Sequence, residues 1–338
     1  VPVVAANNNF LLGIAKQTNE ATTASTATYS VPVFGGVGAT PTYEEGRVEV
    51  TDASSIQGDS YKKPSSWMAE TRFPAFSRSL GTFLQSIWPT DTATGTAPTK
   101  SHAFSGLGGT QPWMAVYREW PGAGAFEETF GKGLATGIGF SATQDGGPLE
   151  IRYTAIGQTP TVAAYTVTTA DDLTQGYFTL QSATATIKTD LDTPDVTPTV
   201  SATNVQAVTI NVDRNASMVP TADAVTLTNV SVGKVVPSGT ATFIWNDWDA
   251  YRATFYGAVA GTAASAVTVN GALKLNFTHT TEVSTFSLYV PKVQFKATSP
   301  EPSPSGDPIT FEVALNIQKP ASGDHVQPTL INNITPAY

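Results

Sequence analysis

The stretch WMAETRFPAFSRSLGTFLQSIWP (residues 67–89) changes its periodicity part-way along. In its first seven residues Trp67, Ala69 and Thr71 fall on one side and Met68, Glu70 and Arg72 on the other, the alternation of a half-buried strand. From there on Phe76, Leu80, Phe83, Leu84 and Ile87 recur at spacings of four, three, one and three, lining one face of a 3.6-residue helix. Pro74 suits a first helical turn, so the helix is expected to begin there. Pro89 stops it, because the residue before a proline is pushed out of helical geometry. Gly81 costs about 1 kcal/mol against alanine inside a helix, and is expected to let the helix lie close to a sheet. A strand leading directly into one helix is therefore predicted, with the five apolar residues as its packed face.

Outward from this point the chain reads as strands. Upstream, YSVPVF (residues 29–34, closed by GGVG) and RVEVTD (residues 47–52) are strand candidates, and ASSIQGDSYKKPSS (residues 53–66) is a long polar connection. Connections of that length are contact elements more often than idle links. Downstream, WMAVYREW, EETFGKGLATGIGFSAT, LEIRYTAIG and YFTLQSATATIK follow, with the turn QDGG at residues 144–147. A Pro/Asp/Thr stretch at about residues 190–204 resets the pattern. VQAVTINVD, GALKLNFTH, STFSLYVPKVQF and DPITFEVALNIQK then arrive at intervals typical of an all-β sandwich or barrel. The expected organisation is a β domain over residues 29–318, its halves similar in pattern, between extended arms at residues 1–28 and 319–338.

Composition narrows the chemistry. The 338 residues include no cysteine, which removes disulfides, thiolate metal sites and cysteine nucleophiles. Charged residues make up 13%, about half the usual share, and the formal charge is −9. An acidic chain poor in lysine gains little from phosphate neutralisation, so it is a poor nucleic-acid binder. No apolar run is long enough for a membrane helix, and the opening residues lack the basic region and cleavage site of a signal peptide. His102, His279 and His325 stand alone, without metal-ligand spacing. The segment WNDWD (residues 245–249) mixes tryptophan with acids, as a glycan-binding or glycosidase site would, but reads more simply as a strand-joining turn. No catalytic constellation emerges, and neither a cofactor nor a metal is implied.

The order of these features resembles the major tail tube proteins of long-tailed, non-contractile bacteriophages, with a flavour nearest to those of actinobacterial phages. The resemblance is carried by LLGIAKQTNEATTA (residues 11–24), GRVEVTD, the loop at residues 53–66, ETRFPAFSRSLGTFLQSIWP, FGKGLATGIGFSATQDGGPLEIRYTAIG and the closing pair LYVPKVQF and GDPITFEVALNIQ. It implies a β-sandwich with a single outer helix, assembled into hexameric rings that stack into a tube for DNA. The implied inter-ring contact is the loop, with Ser55, Ile56, Gln57, Asp59, Tyr61, Lys62 and Lys63. The arms are implied to touch neighbouring subunits. Glu150 and Asp213 are candidates for acids facing the lumen, where negative charge would repel DNA passing without specific binding. Further implied partners are the tape-measure, tail terminator and distal tail proteins, in a virion assembled in the host cytoplasm. The alternatives are a carbohydrate-binding or adhesin β-sandwich and a capsid-decorating virion protein.

Overall fold

The computed structural model describes residues 11–20, 27–42, 45–47, 60–62, 66–120, 126–158, 161–164, 171, 176–188, 205–219, 229–244, 256, 262, 270–297, 310–334 and 338. The expected strand beyond Arg47, most of the 53–66 loop, the 190–204 stretch and WNDWD lie outside these residues.

The strands of the first half are β1 (Leu11–Lys16), β2 (Tyr29–Pro32), β3 (Gly35–Thr42), β4 (Glu45–Arg47), β5 (Ser60–Lys62) and β6 (Ser66–Pro74). Helix α1 (Leu80–Ile87) follows, then β7 (Thr90–Thr94), β8 (Lys100–Ser105), β9 (Met114–Trp120), β10 (Phe126–Thr143), β11 (Glu150–Gly157), β12 (Thr161–Ala164) and β13 (Phe178–Lys188). The rest are β14 (Val205–Asp213), β15 (Ser217–Val219), β16 (Asn229–Ser231), β17 (Val236–Ile244), β18 (Asn270–His279), β19 (Thr285–Ala297), β20 (Thr310–Ile317) and β21 (Gln327–Asn332). The chain is thus mostly β, and every described strand pair is antiparallel.

Two long strands join the layers. The first part of β10 pairs with β9 and β12, and its later part with β11 and β14. Register shifts between Phe130 and Gly133 and between Ala135 and Gly137 bend it between those settings. Strand β19 behaves alike: residues 285–289 pair with β21 and residues 293–297 with β20. Its bend holds Pro291, a residue with no amide hydrogen to offer a ladder. The result is a broad run β3–β6–β11–β10–β14–β17–β20–β19, continued through β18, β13, β21, β8 and β7 on one side and through β9, β1 and β2 on the other.

Helix α1 is two turns long and starts six residues later than Pro74 implies. Pro74 ends β6 opposite Glu150. The next residue, Ala75, donates its N–H to the Leu149 carbonyl and accepts from the Phe178 N–H, so its backbone is committed to neighbouring strands. Phe76 is buried but precedes the helix; Leu80, Phe83, Leu84 and Ile87 are buried on it. Phe83 packs 4.4 Å from Phe73 and 5.0 Å from Tyr153, ring centre to ring centre. All eight helical residues are buried, the polar Thr82, Gln85 and Ser86 included, as befits a helix covered on every side.

The covering layer is the chain's own C-terminal stretch, within the segment expected as an arm at 319–338. Strand β21 pairs with both β8 and β19. Trp88 Nε1 donates to the Val326 carbonyl at 2.9 Å and Asn332 Nδ2 to that of Ser77 at 2.6 Å. Gly81 makes room for this layer rather than for a sheet: a Cβ there would lie 2.2 Å from the Tyr338 ring. Within the segment expected as the N-terminal arm, β1 pairs with β2 and β9 and buries Leu12 and Ile14. GGVG, expected to close the YSVPVF strand, opens β3.

Candidate functional site

Two surfaces and one buried network carry the residues singled out above. The first surface is a ribbon. Strand β3 pairs with β6 out to Thr42 opposite Ser66, and β4 then pairs with β5, Glu45 opposite Lys62 and Arg47 opposite Ser60. Residues 43–44 and 63–65, which join the two pairings along the chain, lie outside the described residues. Among the described pairings, β4 and β5 pair only with each other. Tyr61 and Lys62 belong to β5; Ser55, Ile56, Gln57, Asp59 and Lys63 lie outside the described residues.

The second surface is the solvent side of the broad sheet. Alternation along each strand sends Phe73, Tyr153, Phe140, Ile210, Val212, Val313 and Leu315 to the core. It turns Glu70, Arg72, Glu150, Arg152, Ser141, Thr209, Asn211, Asp213, Ser238, Thr240, Ala314 and Asn316 outward. Glu150 and Asp213 therefore share one face. Arg72 and Arg152 stand directly opposite each other, and each is met by a carboxylate along the diagonal. Arg152 Nη2 lies 2.9 Å from Glu70 Oε1, and Arg72 Nη1 lies 3.6 Å from Glu150 Oε1. Exposed pairs of this kind contribute about 0–1 kcal/mol each; their main effect here is to leave this part of the face close to neutral. Gly139 and Ser141 form the floor of a shallow depression of about 200 Å³ between Arg72, Arg152 and Asn211.

The buried network holds α1 from both ends. The Ser79 N–H donates to Asp171 Oδ2 at 3.2 Å, at the positive end of the helix. Arg214 Nη1 donates to the Ile87 carbonyl at 3.0 Å, at the negative end, and Nη2 to the Gly109 carbonyl at 2.8 Å. Burial raises the Asp171 carboxyl above its usual range and lowers the Arg214 guanidinium. Arg214 also touches a cleft of about 820 Å³ whose wall includes Trp113, Leu134, Lys234 and Glu20. Spacing could not single these two residues out, since they lie 92 and 127 positions from their helix partners.

The histidines are apart from one another. His102 is buried against Asp91. His279 accepts the Glu282 N–H at Nδ1, 3.0 Å away, and burial lowers its pKa. Burial also lowers that of His325. Among the described residues no group of three or more His, Asp or Glu side chains is placed to hold a metal. No helix of the described residues is long and apolar enough to cross a membrane.

The chain matches no family model and no curated protein. The functional reading therefore rests on the sequence resemblance together with these surfaces.

Proposed function

We propose that the chain is a structural subunit that assembles with copies of itself into stacked rings, the tube of a long, non-contractile phage tail. The observation that carries this reading is the β4–β5 ribbon, which falls in sequence between the paired strands β3 and β6 and, among the described pairings, pairs with no strand of the main sheet. A two-stranded ribbon is marginal alone in water, and a neighbour is what would complete it. In this reading residues 53–66 meet the adjacent ring. The Ser/Thr-rich face with Glu150 and Asp213 turns toward the lumen, where near-neutral and acidic groups let DNA pass without holding it. The protein has no catalytic role in this scheme. Copies of itself are its main partners, and the tape-measure, terminator and distal tail proteins contact the finished tube.

Negative-stain microscopy of the purified protein tests the proposal. Rings or tubes are expected as concentration rises. A protein that stays monomeric at every concentration and salt condition tried overturns it.

A further inference from the structure

The cleft beside Arg214, about 820 Å³ in volume, has the size of a small-molecule site. It lies where the 108–113 segment, Leu134 of β10 and residues 230–235, which lead from β16 into β17, come together. Trp113, Leu134, Val230, Val232 and Val235 give it apolar walls.

One wall carries a buried charge that the fold answers only in part. Arg214 is 2% exposed, and its two Nη groups are spent on the Ile87 and Gly109 carbonyls. The end of α1 supplies about half an elementary negative charge, against the whole charge of a guanidinium. Among the described residues no carboxylate forms an ion pair with Arg214, and Asp324 acts on it from farther off. Asp324 Oδ2 is itself held by the N–H groups of Gly106 and Leu107. Arg214 Nε is buried with no hydrogen-bond partner among the described residues. Gln111 shows the opposite lack. Its Nε2 donates to the Ser86 and Ala135 carbonyls at 3.0 and 2.9 Å, and its buried Oε1 has no partner among them. Two residues that line one cleft thus hold an unanswered donor and an unanswered acceptor, where folded proteins leave few such groups.

Cations also gather here, on a chain whose formal charge is −9. Lys234 stands exposed in the wall, and Lys234 and Lys319 both act on His325. Glu20 is the one acid among the described lining residues, and its Oε1 accepts from Gln158 Nε2 at 3.2 Å. Apolar walls of low dielectric concentrate the field of such charges in a cleft.

We propose that this cleft binds a small organic carboxylate with an apolar body and a hydrogen-bond donor beside the carboxylate. The carboxylate answers Arg214 and Lys234, the donor answers Gln111, and the apolar body lies against Trp113, Leu134 and Val235. Phosphate is the poorer fit, because the Nη fork that would grip it is already occupied. The site does not depend on the tube reading.

Ligand-observed fluorine NMR tests it on the full chain, with N-acetyl-para-fluorophenylalanine as the probe. The probe is expected to bind about tenfold or more tighter than its neutral carboxamide. Lys234→Glu, a change at an exposed position, is expected to weaken it by a similar factor. Arg72→Glu, an equal change of charge on the broad sheet, is expected to leave it unaltered. Arg214→Gln is expected to abolish binding; should that variant fold poorly, the Lys234 and Arg72 variants decide. Equal binding of the acid and its carboxamide overturns the proposal. So does displacement of the probe by inorganic phosphate as readily as by unlabelled N-acetylphenylalanine, a loss shared by Arg72→Glu, or no binding at millimolar concentration.

Discussion

Asp171 and Arg214 do for α1 what its own sequence leaves undone, since the helix has no acidic residue in its first turn and no basic one in its last. Placing an ion in the core for this purpose has a pH signature. Burial raises the folded-state pKa of Asp171, so the folded protein holds that proton more tightly than the unfolded chain, whose value is about 3.9. The stability contributed by this group is fully present below the unfolded pKa and is lost as pH rises through the folded one. Asp171→Asn keeps an acceptor for the Ser79 N–H and does not titrate. The variant is expected to gain stability relative to the unmodified protein as pH rises from about 3 toward neutrality, read by urea denaturation at each pH. A relative loss over that range would show that the charge at the helix end outweighs its burial.

At the scale of elements, α1 shows why the periodicity of a segment locates a helix more reliably than it locates the ends. The five apolar positions are all buried, yet Phe76 precedes the helix and joins it only through its carbonyl, which accepts the Leu80 N–H at 3.2 Å. The helix starts late because Ala75 is held by Leu149 and Phe178, partners brought near only by folding. Gly81 was legible as an anomaly, but the side chain it admits was not. Gly81→Ala improves intrinsic helix propensity by about 1 kcal/mol, yet it places a methyl against the Tyr338 ring. A net destabilisation of about 1–3 kcal/mol is expected, together with faster exchange at Tyr338. Thermal or urea unfolding checks the first and hydrogen exchange the second. A stabilised variant would mean that the covering layer yields easily.

For the whole molecule, the β4–β5 ribbon is, among the described pairings, separate from the main sheet. Deleting residues 56–63 removes β5 but touches neither β6 nor the core that β6 shares with β11. The expected variant is a folded subunit with an unchanged circular dichroism spectrum whose rings do not stack into tubes under the microscope. A deletion variant that polymerises normally would move the inter-ring contact elsewhere, leaving the fold as described. The terminal stretches teach the complementary lesson. Both look like arms because they are polar and weakly periodic, yet β1 and β21 are paired on both sides. Their pairing partners, and the burial of Leu12, Ile14, Val326 and Leu330, supply what local pattern lacks.

Alternation of side chains and the spacing of turns are local properties, so the chain's β character, its helix and the polarity of each strand face could be read from residues in order. Strand pairing, the bends of β10 and β19, the layer over α1 and the charges at the two helix ends join residues far apart in sequence. These depend on which backbone groups and side chains meet once the core closes. Cross-strand partners and buried ions satisfy hydrogen-bonding groups that no local pattern names, and three-dimensional packing alone selected them.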